Sequence, residues 1–173
     1  MCIAATQPDR PNKRCCFCNF RKSANFASVM VKDYDEIVER LLVKRHWVID
    51  LLPCQVPQDG GGQFFEVEQY YLEGPQHERL CHQFADVLLK LNCYHDLMVS
   101  HNDAWFVNPL PDDLVRWLTD ALQHGHLCIL IDDGDALITA SSDDTHLTLY
   151  NPSDAILNLV EKLAIAAGLF LWQ

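Results

Sequence analysis

Cys15 and Cys18, in Cys15-Cys16-Phe17-Cys18, have the C-x-x-C spacing that lets two thiolates take adjacent corners of a zinc tetrahedron. His77 and Cys81, four residues apart, share one face of any helix that contains them and offer a second pair of ligands. Cys54, His82, Cys93 and His95 are further donors of the same kinds. Basic neighbours at Arg14, Arg21 and Lys22 lower thiol pKa values whether or not metal is bound, so the motif fits a reactive thiol as well as a ligand. The expectation is a chain without a cofactor. Zinc on Cys15, Cys18, His77 and Cys81 is the alternative.

A cysteine nucleophile needs a histidine within hydrogen-bond reach and a third group to orient it. Cys93, His95 and Asp96 are close in sequence, but Asn92 marks a helix terminus, where neighbours two apart do not converge. Helix-end capping accounts for His95, and solvent exposure for His124 and His126.

The densest acidic groups are Asp132, Asp133 and Asp135 around Gly134, followed by Asp143 and Asp144 in the next connector. Their spacing does not match a D-x-[DN]-x-[DN]-G calcium loop. Tight turns select Asp for backbone reasons alone. Their functional reading is a carboxylate rim that meets lysines and arginines of a protein partner, with Tyr70 as an aromatic anchor beside it. Gly60-Gly61-Gly62 leads into neither G-x-x-x-x-G-K-[ST] nor G-x-G-x-x-G, and the chain carries no G-x-S-x-G, H-E-x-x-H or deaminase signature. The chain is therefore not expected to be an enzyme.

Charge narrows the class further. The sequence has 24 Asp+Glu against 13 Lys+Arg, a net charge of −11. The first 22 residues nevertheless hold Arg10, Lys13, Arg14, Arg21 and Lys22 against Asp9 alone, a surplus of +4 that leaves −15 for the rest. An acidic body repels nucleic acid and anionic membrane and favours a basic partner. Five positive charges in an arm make only a weak nucleic-acid site.

At 173 residues and 49% hydrophobic, the chain can bury roughly two-thirds of its unfolded surface in a single core. The expected organisation is a basic arm at 1–28 and one domain at 29–173. No export signal is visible at Met1-Cys2-Ile3-Ala4-Ala5, and the apolar stretch from Leu163 to Trp172 is shorter than the about 20 residues that span a bilayer, so a cytoplasmic protein is expected. Eight cysteines then read as thiols rather than as a disulfide framework, with Cys128 a small core residue.

These residues are carried on a recognisable pattern of elements. Ile37, Val38, Leu41 and Leu42 recur at helical spacing and predict an amphipathic helix over 33–47. The aromatic run Phe64 to Tyr71 predicts a strand, in which Tyr70 and Tyr71 face opposite ways. Pro75 opens a second helix with a stripe of Leu80, Phe84, Val87, Leu88 and Leu91, and a third follows Pro111 with Leu114, Val115, Leu118, Ala121 and Leu122 inward. Ala104 to Val107 predicts a short buried strand. Leu127 to Ile131, Ala136 to Ala140 and His146 to Tyr150, punctuated by Asp133-Gly134 and a polar connector, predict a three-stranded meander. A last helix is capped by Asn151 and ended by Gly168, before a return as an edge strand. Trp47, Trp105, Trp117 and Trp172 read as core or core-edge residues. The fold class is α+β, a mostly antiparallel sheet with about four helices packed on it.

The function this supports is a small acidic protein that binds another protein, most concretely an inhibitor or immunity-type antitoxin covering a basic toxin or nuclease. In size, acidity and mixed pattern the chain is similar to bacterial immunity proteins, which share no common motif. A secretion chaperone for an effector client is the alternative of the same class, and a zinc- or thiol-dependent enzyme the alternative from another. The protein is expected as a monomer or homodimer.

Overall fold

In the computed structural model, residues 33–57 and 62–173 are described. Cys15, Cys18 and the arm at 1–28 lie outside them. The body, Asp33–Gln173, is one unit built on a seven-stranded sheet.

The chain order is α1 (Tyr34–Leu42), β1 (His46–Asp50), α2 (Phe64–Leu72), α3 (Gly74–Leu91), β2 (Leu97–His101), β3 (Ala104–Val107), α4 (Pro111–His124), β4 (His126–Ile131), β5 (Ala136–Ser141), β6 (Leu147–Tyr150), α5 (Asp154–Ala166) and β7 (Phe170–Trp172). The strands lie in the order β3-β2-β4-β5-β6-β1-β7, and every neighbouring pair is antiparallel. The α+β class and the meander β4-β5-β6 are as the sequence predicts. The first strand, β1, is inserted between β6 and the C-terminal strand, with Ile49 opposite both Leu147 and Leu171.

Alternation along the strands assigns the two faces. Leu127, Ile129 and Ile131 of β4, with Ala136, Ile138 and Ala140 of β5, join Leu88 and Leu91 of α3, Leu114 and Leu118 of α4 and Val160 of α5 in the main core. Most of these are fully buried, and each buried Leu, Ile or Val contributes about 1.5–3 kcal/mol. The intervening Leu130 and Leu137, with Met98, face the other way and meet Ile37 and Leu41 of α1. Three helices thus cover one face and α1 covers part of the other.

Local chemistry explains the helix ends. Asp33 caps α1 by accepting from the N–H groups of Asp35 and Glu36. Pro111 opens α4, with Asp112 and Asp113 in its first turn complementing the dipole. Ser153, not Asn151, caps α5 through Ile156 N–H. Asn151 has φ 53° and is a stitch instead, donating to the Asp135 carbonyl while its own N–H reaches the Arg45 carbonyl.

Two elements differ from the sequence pattern. The predicted helix over 33–47 stops at Leu42, and His46–Asp50 is strand: the β-branched pair Val48-Ile49 finds a place between β6 and β7 that no local periodicity announces. Phe64–Leu72 is helix, not strand. Its aromatic content suggested sheet, but Phe64, Glu68 and Tyr71 recur at helical spacing, and Glu66, Glu68 and Gln69 are good helix formers. Ala104–Val107 is a strand as predicted, yet it is the sheet edge, with Ala104, Phe106 and Val107 exposed. No described helix is long and apolar enough to cross a membrane.

Candidate functional site

The β5 strand sets the acidic residues apart. Asp132, Asp133 and Asp135 form the β4-β5 turn at one end of it, and Asp143 and Asp144 the β5-β6 connector at the other. Six strand residues separate the groups by roughly 17 Å at about 3.4 Å per residue. The single rim expected from sequence is therefore two surfaces on opposite ends of the sheet.

Within the first turn the backbone and the Asp132 carboxylate have structural work. Asp132, Asp133 and Gly134 have φ of 47°, 62° and 99°, the left-handed backbone a tight hairpin requires. Asp132 accepts from Asp96 N–H at 3.1 Å and pairs with His95 Nδ1 at 2.5 Å. His95 thus answers to Asp132 rather than to Cys93, whose thiol donates to the Leu89 carbonyl. This dissolves the Cys93-His95-Asp96 constellation.

His77 and Cys81 do come together, one turn apart on α3, with 3.6 Å between Nε2 and Sγ. Both are buried, and burial pushes the Cys81 thiol up to about 11. At neutral pH and without a metal it is a thiol, not the thiolate that nucleophilic attack uses. Burial likewise raises Cys128. Among the described residues, no three His, Cys, Asp or Glu side chains gather as a metal-ligand group.

A different site emerges around α2. Six of its nine residues are apolar or aromatic (Phe64, Phe65, Val67, Tyr70, Tyr71 and Leu72), and none of the nine is buried. Phe65 is 78% and Tyr70 57% exposed. The Tyr70 hydroxyl accepts from Gln76 Nε2 at 2.7 Å, and its ring meets Tyr71 edge-on at 5.5 Å between centroids. Contacts run from α2 to α3, with which it forms a helical hairpin broken at Gly74, φ 64°.

Alongside α2 lies a cavity of about 700 Å³. Phe64, Phe65, Val67 and Tyr71 form one wall, and Asp50, His146 and Trp172 converge on it from β1, the β5-β6 connector and β7. Asp50 is 7% exposed. Its carboxylate accepts from Leu52 N–H at 3.2 Å, closing the turn that leaves β1. Burial raises its pKa above the usual aspartate value, while the backbone N–H of Leu52, the nearby His146, the Leu51 N–H and the Trp172 indole oppose that rise. The Trp172 Nε1 is itself buried and, although near enough to Asp50 to favour its charge, closes no hydrogen bond of ordinary geometry. An apolar chamber holding a buried carboxyl and an unsatisfied N–H is a binding site in form.

A second concavity, about 790 Å³, lies at the β2-β3 turn and the C-terminus of α4. His101 stacks on Trp117 there at 4.5 Å and 14°, and Phe106 flanks the same indole at 4.9 Å. His124, His126, Asp103 and Asp120 line it.

Of the residues singled out from sequence, Asp144 lines the cavity and Tyr70 lies on α2, while Asp50, His146 and Trp172 were missed. A lone carboxylate inside the apolar run Trp47-Val48-Ile49-Asp50-Leu51-Leu52 was the available signal. Comparison of the chain with protein-family models, with curated proteins and with solved structures finds no match.

Proposed function

We propose that this protein acts by binding another protein through the α2 surface, and that the partner segment it takes is basic with interspersed apolar side chains. The observation that carries this reading is a helix two-thirds apolar that buries none of its residues. Much of that surface stays exposed among the described residues, and solvent-facing aromatics on a helix are the usual anchors of an interface.

The sequence around it supplies the charge preference. From Arg45 to Arg79 there is no intervening Lys or Arg, and six carboxylates fall in that interval: Asp50, Asp59, Glu66, Glu68, Glu73 and Glu78. Such a field steers a cationic partner and rejects an anionic one. The concrete form of this function is an inhibitor or immunity-type protein that neutralises a basic toxin or nuclease. The open cavity along α2 also favours a second reading, a secretion chaperone that holds an extended stretch of an effector.

The test is affinity capture from native lysate at low and high salt, with wild type beside Phe65→Ser/Tyr70→Ser. A basic protein retained in stoichiometric amount by wild type, released as salt rises and absent from the variant, supports the reading. Equal retention by both baits removes α2 from the interface. A folded captured domain marks an inhibitor, and a client held only while unfolded marks a chaperone.

A further inference from the structure

The charge lining the α2 cavity is one-sided. Asp50, Glu68 and Asp144 contribute carboxylates, His146 is the single basic side chain among the described lining residues, and no Lys or Arg is present. The rest of the wall is mainly aliphatic and aromatic, with the neutral polar side chains of Gln55, Gln63 and Thr145 among them. Asp50 is held in place from behind, by the Leu52 N–H, so its carboxyl is fixed by the turn that buries it. Burial of the Asp50 carboxylate is only partly offset, by the Leu52 N–H and by His146 nearby, and a ligand that brings a further cation relieves the rest of that cost. A carbonyl on the same ligand can accept from the buried Trp172 N–H, which lies near Asp50 but closes no hydrogen bond of ordinary geometry.

We propose that this cavity is the specificity pocket for the partner segment, receiving an arginine or lysine side chain together with an adjacent apolar side chain, with Asp50 as the counter-ion. The proposal rests on the reading of α2 as the partner-facing surface. Its volume is that of ordinary ligand pockets, large enough for two side chains rather than one. Phe64, Val67 and Tyr71 offer apolar contact to the stem and its neighbour, while Glu68 and Asp144 line the same cavity and draw cations towards it. An arginine guanidinium presents its donors in a plane that matches a carboxylate.

The probes are the blocked dipeptides N-acetyl-leucyl-arginine amide and its citrulline counterpart, which has the same shape without the charge. Binding to the full chain is followed by NMR through the Trp172 indole N–H and the titration of the Asp50 carboxyl. The expected result is saturable binding of the arginine peptide, binding of the citrulline peptide weaker by tenfold or more, and a fall in the Asp50 midpoint when the arginine peptide is present. In Asp50→Asn, which keeps an acceptor for Leu52 N–H, the preference for arginine over citrulline falls to near one. Equal affinity for both peptides in wild type, a preference unchanged by Asp50→Asn, or no saturable binding of either peptide overturns the proposal. The wild-type comparison and the Asp50 titration keep the question decidable if the variant does not fold. Partner capture that depends on Phe65 and Tyr70 while the dipeptides fail removes the pocket and leaves the α2 interface. Arginine-selective binding with capture indifferent to α2 does the reverse.

Discussion

Two helices of this protein are both rich in apolar residues and use them in opposite ways. In α4, Leu114, Trp117, Leu118, Ala121 and Leu122 are buried at helical spacing, and the opposite side is polar. In α2, Phe64, Phe65, Val67, Tyr70, Tyr71 and Leu72 are carried on nine residues, and none is buried. Apolar content is therefore no guide to burial. What decides it is whether a second layer is in place: α4 lies on β4 and β5, whereas the main packing of α2 among the described residues is against α3, and it borders an open cavity. Surface that folding does not consume remains free for a partner.

The strongest break of this comparison falls on α4. Leu118 is fully buried in the main core, so Leu118→Ala is expected to cost about 2–5 kcal/mol in denaturant unfolding. A loss below about 1 kcal/mol would mean that α4 is not the packed partner of the sheet.

The next effect is at the turn under α1. Gly134 has φ 99°, and a Cβ there would stand 2.7 Å from Ile37 Cγ2. Gly134→Ala combines backbone strain with a clash against the helix covering the second sheet face, and should cost about 1–3 kcal/mol. Ile37→Ala in the same chain is expected to recover the steric part. Strict additivity of the two changes in a double-mutant cycle would show that α1 does not rest on this turn.

Asp50 gives a smaller, pH-dependent effect whose sign follows from its raised pKa. The folded state holds the Asp50 proton more tightly than the unfolded chain, so ionisation weakens the fold. That penalty is absent below the ordinary aspartate value near 3.8, grows as pH rises towards the folded value and is constant above it. Asp50→Asn should accordingly match wild type in Tm near pH 3 and exceed it at pH 7, by up to a few degrees. A variant less stable than wild type at pH 7 would mean that the hydrogen bonds from Leu52 and Leu51 outweigh the burial of charge.

What the sequence made legible is what was local. Asp133-Gly134, the short apolar run Leu127 to Ile131 and the helical stripes of α3, α4 and α5 each rest on neighbours within a few residues, and each agrees with the structure. The strand β1 was illegible because its reason lies at Leu147 and Leu171, about a hundred residues on. The same insertion hid the cavity, since Asp50, His146 and Trp172 meet only when β1 enters between β6 and β7. The acidic turns were readable one by one, but their separation across β5 depended on knowing which end of the sheet each connector occupies. For α2 the period was present and composition misled: aromatic residues favour strands because they pack on a pleated surface, and here they sit on a largely exposed helix against one another and α3.

The smallest effect on stability is the one that sharpens the comparison most. Phe65 is 78% exposed, so Phe65→Ser removes little buried area and should change unfolding free energy by no more than about 0.5 kcal/mol. An anchor aromatic lost from an interface typically weakens binding by about 2 kcal/mol or more. The ratio of the two effects separates the helices: Leu118 is a residue the fold needs, and Phe65 one that only a partner needs. If Phe65→Ser destabilises the isolated protein as much as a core truncation does, α2 is covered in solution by another part of the chain or by a second copy, and sedimentation across a concentration series distinguishes these. If stability holds while capture of the basic partner is lost, the apolar excess of α2 is accounted for by binding.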